Sequence, residues 1–284
     1  MTTTTDITAD RAPADRALKA GHRAMWASGN YPAVARELIA DLGPTLVAAC
    51  GITSGQRVLD VGAGTGNAAV PAAMTGATVV ASDLTPELFE VGRSAAARVG
   101  VALDWVEADA EALPFATGEF DTVMSCVGAM FAPHHRAAAG EMLRVTRRGG
   151  TIGMINWTPE GFIGNLFRTM GPFAPPPPPG AQPPPLWGSE SHVRELFGRG
   201  ISTFDAQRRT TVFDHCADPV EFREFWKRNY GPTIAVYAAN AADPERVAAL
   251  DAAFLEFVRQ WNVAPPGRPA RWEAEYLLVT ATRA

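Results

Sequence analysis

Lysine is almost missing from these 284 residues: only Lys19 and Lys227 occur, and arginine carries nearly all the positive charge. Lys plus Arg total 25 against 30 Asp plus Glu, a formal charge of −5. A whole-molecule basic field for holding nucleic acid or an anionic membrane is therefore absent. Cysteine is scarce as well. Cys50, Cys126 and Cys216 are odd in number and far apart, which excludes a disulfide framework, and no C-x-x-C or Cys/His cluster suggests a metal site. No uninterrupted apolar run reaches the ~18 residues of a membrane span. Residues 1–10 lack the basic-then-apolar order of a signal peptide, so a cytoplasmic location is expected. What remains, at 47% hydrophobic and 19% charged, is the composition of a globular chain with a sizeable core.

The sequence divides by pattern. Residues 1–16 are polar and rich in Thr and Asp, and are expected to be a disordered tail. Over 17–50 the apolar residues fall at helical spacing around a Gly29-Asn30 break, which predicts two helices, with Pro32 in the first turn of the second, forming an N-terminal helical cap. Over 51–157 strand-like runs (57–61, 78–82, 102–107, 122–125, 151–156) alternate with helical stretches (67–74, 86–99, 135–147). That alternation predicts a three-layer α/β/α fold with a mostly parallel sheet. Residues 158–271 hold a Pro-rich segment (Pro172, Pro175–Pro179, Pro183–Pro185), read as a stiff surface connection, then helix 190–197, strand 202–213 and amphipathic helices 219–230 and 244–261, expected as a substrate cap. A final core strand is expected within 272–284.

In a parallel sheet the ligand crevice lies outside the strand C-termini, so the residues after each strand matter most. Arg57-Val-Leu-Asp60-Val-Gly62-Ala63-Gly64-Thr-Gly66-Asn67 is an apolar strand, an acid, three glycines at alternate positions and a helix start. The dinucleotide fingerprint spaces its glycines G-x-G-x-x-G and offers a helix N-terminus to pyrophosphate. Here the spacing is G-x-G-x-G, and Asp60 beside it suits a cationic ligand better than two phosphates. Asp83, at the end of the second strand, suits bidentate hydrogen bonding to ribose hydroxyls. Leu84 is placed to pack on a base, and Asp109 after the third strand to accept from an exocyclic amine.

Together, VLDVGAGTG (58–66), VVASDLTPELF (79–89), WVEADAEALPF (105–115), FDTVMS (120–125) and EMLRVTRRGGTIG (141–153) resemble the class I S-adenosylmethionine-dependent methyltransferases, most closely the UbiE-like small-molecule branch. The family's usual Lys-Pro-Gly-Gly is Arg147-Arg148-Gly149-Gly150 here. The resemblance implies a Rossmann-like seven-stranded sheet with an antiparallel last strand, binding S-adenosylmethionine and releasing S-adenosylhomocysteine. It assigns Asp60 to the methionine amino group; Gly62, Ala63, Gly64, Gly66 and Asn67 to the glycine turn; and Asp83 and Leu84 to the ribose and adenine. Asp109 and Ala110 fall at the adenine edge, and Cys126 and Val127 at the methionine end.

In-line methyl displacement needs alignment and water exclusion, and a base only for some acceptors. Candidates for such a base are His134 and His135 after strand four, and His22 and Tyr31 in the N-terminal cap. Trp26, Tyr31, Phe131, Trp157, Trp187, Phe225 and Tyr230 are candidate linings of an apolar acceptor pocket. Ser125-Cys126-Val127-Gly128 stands where amino-methyltransferases of DNA carry Asn/Asp-Pro-Pro-Tyr/Phe, so the expected partner is a small-molecule acceptor, not nucleic acid, and the protein is expected as a monomer or homodimer. Two alternatives stay open: a nicotinamide-dependent oxidoreductase, and a non-catalytic protein that binds S-adenosylmethionine.

Overall fold

A computed structural model describes residues 11–284. Most of the expected tail lies outside the described residues, and the first helix, α1 (Arg11–Ala27), already runs through its last six positions. The N-terminal region holds three helices rather than two: α1, α2 (Tyr31–Leu38) and α3 (Leu42–Cys50). The Asn30 side chain accepts from the Ala33 amide, so the break at Gly29-Asn30 is the cap of α2. Only α1 and α2 belong to the cap; α3 lies on the sheet against β4 and β5, with its Leu46 side chain fully buried.

There follow β1 (Arg57–Val61), α4 (Ala69–Met74), β2 (Thr78–Asp83), α5 (Phe89–Arg98), β3 (Asp104–Glu107), β4 (Phe120–Cys126), α6 (His135–Val145) and β5 (Thr146–Trp157). Then come α7 (Phe162–Met170), α8 (Glu190–Phe197), β6 (Ile201–Phe213), α9 (Pro219–Asn229), α10 (Gly231–Asn240), α11 (Pro244–Gln260) and β7 (Trp272–Arg283). The sheet order is β3-β2-β1-β4-β5-β7-β6. The first five strands are parallel, and β7 inserts antiparallel between β5 and β6. The Arg147–Gly150 stretch is taken up into β5, with a register shift against β4 between Phe120 and Thr122.

Central strands read as continuous apolar runs because helices cover both faces: Val58, Leu59, Val79, Val80, Val123 and Met124 are all buried. Asp60 is the exception inside that run, paired in register with Ala81 on one side and Met124 on the other. The strand order reverses between β1 and β4, so the crevice of this sheet opens above those two strands.

Both long cap helices start with Asp-Pro. Asp218 accepts from the Val220 and Glu221 amides, Asp243 from Glu245 and Arg246, and the prolines fill a position whose N–H has no partner anyway. An aromatic core fixes the cap to the sheet: Phe222 lies 4.2 Å from Trp272 between ring centroids, and the Trp272 indole N–H donates to Val258 O at 2.7 Å. Such contacts bury large apolar area and give the cap a single seat on the sheet.

Candidate functional site

The cleft is built where the turns after β1, β2, β3 and β4 converge under α1. The Gly62 and Ala63 amides both donate to Ser82 O at 2.9 Å, which folds the glycine turn onto β2. Gly62 has φ +70° and sits against Gly128: a Cβ on Gly62 would come 2.8 Å from the Gly128 backbone, and one on Gly128 would come 2.3 Å from Gly62 O. Only two residues without side chains can meet this closely. Ser125 locks the approach, its hydroxyl donating to Val61 O (2.6 Å) and accepting the Ala129 amide (2.8 Å). Sequence reading passed over Gly128 and Ser125, because their partners lie more than sixty residues away. Between them Val127 adopts φ +54°, a left-handed conformation that a β-branched side chain resists.

Asp60 is 1% exposed, and neither carboxylate oxygen has a hydrogen-bond partner. Burial, and then the nearby Asp83 charge, push its pKa up to about 7; the Ala69 amide pulls the other way without closing a bond. Asp83 is held differently. Its Oδ2 accepts the Gly64 amide and its Oδ1 the Thr85 amide, both at 2.8 Å. Burial raises its pKa and these amides oppose the rise. With one amide donor on each oxygen, Asp83 lines the cleft.

The cleft encloses about 690 Å³ including its mouth, and its walls include Gly62, Gly64, Asp83, Leu84, Asp109, Ala110 and Val127. The remaining sequence candidates stand behind those walls. Ala63 is buried in the turn. Gly66 makes room for the Trp105 ring, which a Cβ there would meet at 2.8 Å. The Asn67 amide points to Cys126 Sγ at 3.7 Å. Burial raises the Cys126 thiol far above its ordinary range, so it is no nucleophile.

Helix α1 roofs the cleft through charges that sequence reading did not single out. Lys19 Nζ lies 3.1 Å from Asp109 and 2.6 Å from Glu111, and Arg23 pairs with Glu87 and Glu107, both at 2.8 Å. Asp109 Oδ1 thus already accepts from Lys19 and from the Glu111 amide. Asp15, Glu111 and His134 stand close enough to share an ion, but Lys19 supplies a positive charge at Glu111.

The four base candidates separate cleanly. His134 is tied to Glu111, by Nδ1 at 2.9 Å and by its amide at 2.7 Å. His135 turns away from the cleft: it is fully buried, with Nδ1 3.0 Å from His192 Nε2 and its ring against Trp187. His22 and Tyr31 both line the cleft. Burial, then the Lys19 charge, lower the His22 pKa, which keeps the ring neutral near pH 7. Burial raises the Tyr31 hydroxyl, so it stays protonated.

Of the seven aromatic candidates, Trp26, Tyr31, Phe131, Trp157 and Tyr230 surround a small box of about 330 Å³ beside Val127. Trp26 meets Tyr31, Phe131 and Tyr230 edge-on at 5.6, 4.7 and 5.7 Å. The other two pack elsewhere. Trp187 is fully buried beside His135 and Phe197, and Phe225 lies against His215. The Pro-rich segment also departs from its reading as a surface connection. Its second half folds back, with the Gln182 amide on Pro133 O (2.9 Å), and Pro185 and Trp187 are buried.

Residues 59–154 match the family described as a methyltransferase domain. Over 283 residues the chain is 47% identical to uncharacterized protein Rv1403c of Mycobacterium tuberculosis, with all of both chains covered. It is 39% identical over 125 residues to the demethylmenaquinone methyltransferase of Renibacterium salmoninarum, across 44% of this chain and half of that protein. The crystal structure of the YcgJ protein from Bacillus subtilis superposes with a TM-score of 0.58 at 20% identity, covering 86% of this chain and 98% of that one. Geranyl diphosphate methyltransferase in complex with S-adenosylmethionine superposes at 0.51 with 16% identity, over 86% and 85% of the two chains. The domain match across β1–β5, relatives named as methyltransferases and a shared seven-stranded fold make this chain a class I S-adenosylmethionine-dependent methyltransferase of the UbiE-like kind.

Proposed function

We propose that the enzyme binds S-adenosylmethionine over its first glycine turn and transfers the methyl group to a small-molecule acceptor by in-line displacement. The observation that carries this reading is Asp60, a buried carboxylate with two unpartnered oxygens, two residues before the glycine turn whose Gly62 and Gly64 line the cleft. Such a group calls for a cationic ligand, since an unpaired buried charge costs several kcal/mol. A pyrophosphate here would face two acids, Asp60 and Asp83, which argues against a nicotinamide dinucleotide. When bound, S-adenosylmethionine supplies a sulfonium-activated methyl group.

The chain's own residues then have distinct tasks. Asp60 offers its oxygens to the methionine ammonium, directly or through water. Asp83, oriented by the Gly64 and Thr85 amides, accepts from the two ribose hydroxyls. Leu84 and Ala110 flank the adenine, and Asp109 accepts from its amine with Oδ2 while Lys19 holds Oδ1. Trp26, Tyr31 and Phe131 exclude water from the reacting end. His22, neutral and facing the cleft, takes the proton of an acceptor that must lose one. Titration calorimetry with S-adenosylhomocysteine tests the reading: saturable heat is expected, and none would refute it. Incubation with S-adenosylmethionine and a metabolite extract, read by mass for a 14-Da gain, is expected to yield a methylated product. Cofactor affinity without any such product would leave a non-catalytic binding protein instead.

A further inference from the structure

We infer that the acceptor is an anionic amphiphile, its apolar body lying in the groove between α1, α7 and the returning Pro-rich arm and its carboxylate or phosphate resting against Arg168. The inference rests on the methyl-transfer reading, because the groove opens on the cleft assigned to the cofactor. His22 and Phe131 line both spaces, so an acceptor seated in the groove reaches the proposed base with one end.

Size and lining argue for an extended apolar body. The groove holds about 1170 Å³ including its mouth, against about 330 Å³ for the aromatic box, which has room only for a reacting group. Met25 of α1 and Phe167 of α7 form two walls, and Pro183, Pro184, Pro185 and Leu186 form the third. Proline has no amide hydrogen, so this wall is short of donors and presents mainly hydrocarbon. Gly164, which also lines the groove, lets α7 pack closely on the chain before it: a Cβ there would come 2.4 Å from Thr158 O and Pro159 O. Among the described residues no acid lines the groove.

Charge argues for an anionic end. Arg168 stands at the solvent-exposed rim, its guanidinium donating to Asn165 Oδ1 (2.5 Å) and Pro159 O (3.3 Å). Both bonds orient the fork without neutralising it, and among the described residues no carboxylate lies within ion-pair distance. The nearby acid Glu160 is taken by Arg208, at 3.3 Å. A pre-oriented guanidinium beside an apolar groove fits a carboxylate or phosphate bidentately, and repels a cationic head.

Calorimetry on protein saturated with S-adenosylhomocysteine decides the matter, with decanoate, decyl phosphate, decan-1-ol and decyltrimethylammonium as probes. Decanoate or decyl phosphate is expected to bind at least tenfold tighter than decan-1-ol, and the cationic probe more weakly still; the tighter of the two anions identifies the head group. Arg168→Gln is expected to bring the anions down to the level of decan-1-ol with S-adenosylhomocysteine affinity unchanged. Leu186→Trp, which fills the groove, is expected to weaken every probe tenfold or more. Decyltrimethylammonium binding as tightly as decanoate, or a preference for anions that survives Arg168→Gln, would overturn the inference. Absent S-adenosylhomocysteine binding sinks the cofactor reading, whereas cofactor binding with no amphiphile binding sinks this one alone.

Discussion

Replacing Asp60 by Asn is expected to stabilise the ligand-free enzyme while weakening its hold on the cofactor. The carboxyl is buried without partners, and its pKa rises from 3.8 to about 7. A carboxyl whose folded pKa is raised binds more protons in the folded state than in the unfolded one between those values. Stability therefore falls as pH climbs through that window, and the full penalty is present above pH 7. Roughly three pH units at 1.36 kcal/mol each set a ceiling of about 4 kcal/mol. Asparagine removes the charge but leaves an unbonded amide in the same place, which returns about 1–3 kcal/mol of the gain. The net expectation at pH 8 is about 1–3 kcal/mol, or a few degrees in Tm for a chain of this size. At pH 4 the gain is expected to vanish. Thermal melts of both proteins from pH 4 to 8.5 check this. Calorimetry in buffers of different ionisation enthalpy adds a second readout: S-adenosylmethionine should expel a proton from the wild type near pH 7 and none from the variant. A variant no more stable than wild type at pH 8, with the same proton release, would refute the reasoning.

Three more expectations rest on single residues. Asp83→Ala removes the proposed ribose partner and should weaken S-adenosylhomocysteine binding by about 1–3 kcal/mol in calorimetry; unchanged affinity would refute the ribose assignment. Gly128→Ala forces a methyl group against Gly62 O, 2.3 Å from its ideal position, and should cost about 1–3 kcal/mol of stability in urea titrations together with a tenfold or greater loss of cofactor affinity. His135 has its pKa lowered to about 4 by burial, then by His192, so the folded state binds fewer protons there and stability rises between pH 4 and 6.5. His135→Leu should flatten that rise, by up to about 3 kcal/mol across the window in urea midpoints compared with wild type at each pH.

The central sheet was legible because its signals are local. β1, β2 and β4 are short, mainly apolar runs that lead into Gly62, Asp83 and Val127-Gly128, and Asp83 and Asp109 line one cleft, with Asp60 near Asp83, because parallel strands bring their C-terminal ends to one edge. Helices α7 and α10 went unread for physical reasons. The α7 apolar residues run straight on from β5 into the prolines, and GPTIAVYAAN of α10 has little contrast between faces. The cap failed in the other direction, since its pattern was visible but its partners were not. Nothing near Trp187 in sequence tells that His135 and Phe197 will cover it, and nothing near His22 tells that α1 will carry it over the cleft while His134 spends its ring on Glu111. Long-range closure decides these contacts.

The charges beneath α1 fasten the entrance at two depths. Arg23 meets Glu87 and Glu107 in the open, where counterions compete for each partner, whereas the Lys19 side chain is only 10% exposed between Asp109 and Glu111. Dissolved salt screens the outer pair over a few ångströms of water and barely reaches the inner one. Rising ionic strength is therefore expected to weaken the Arg23 contacts of this helix before those of Lys19.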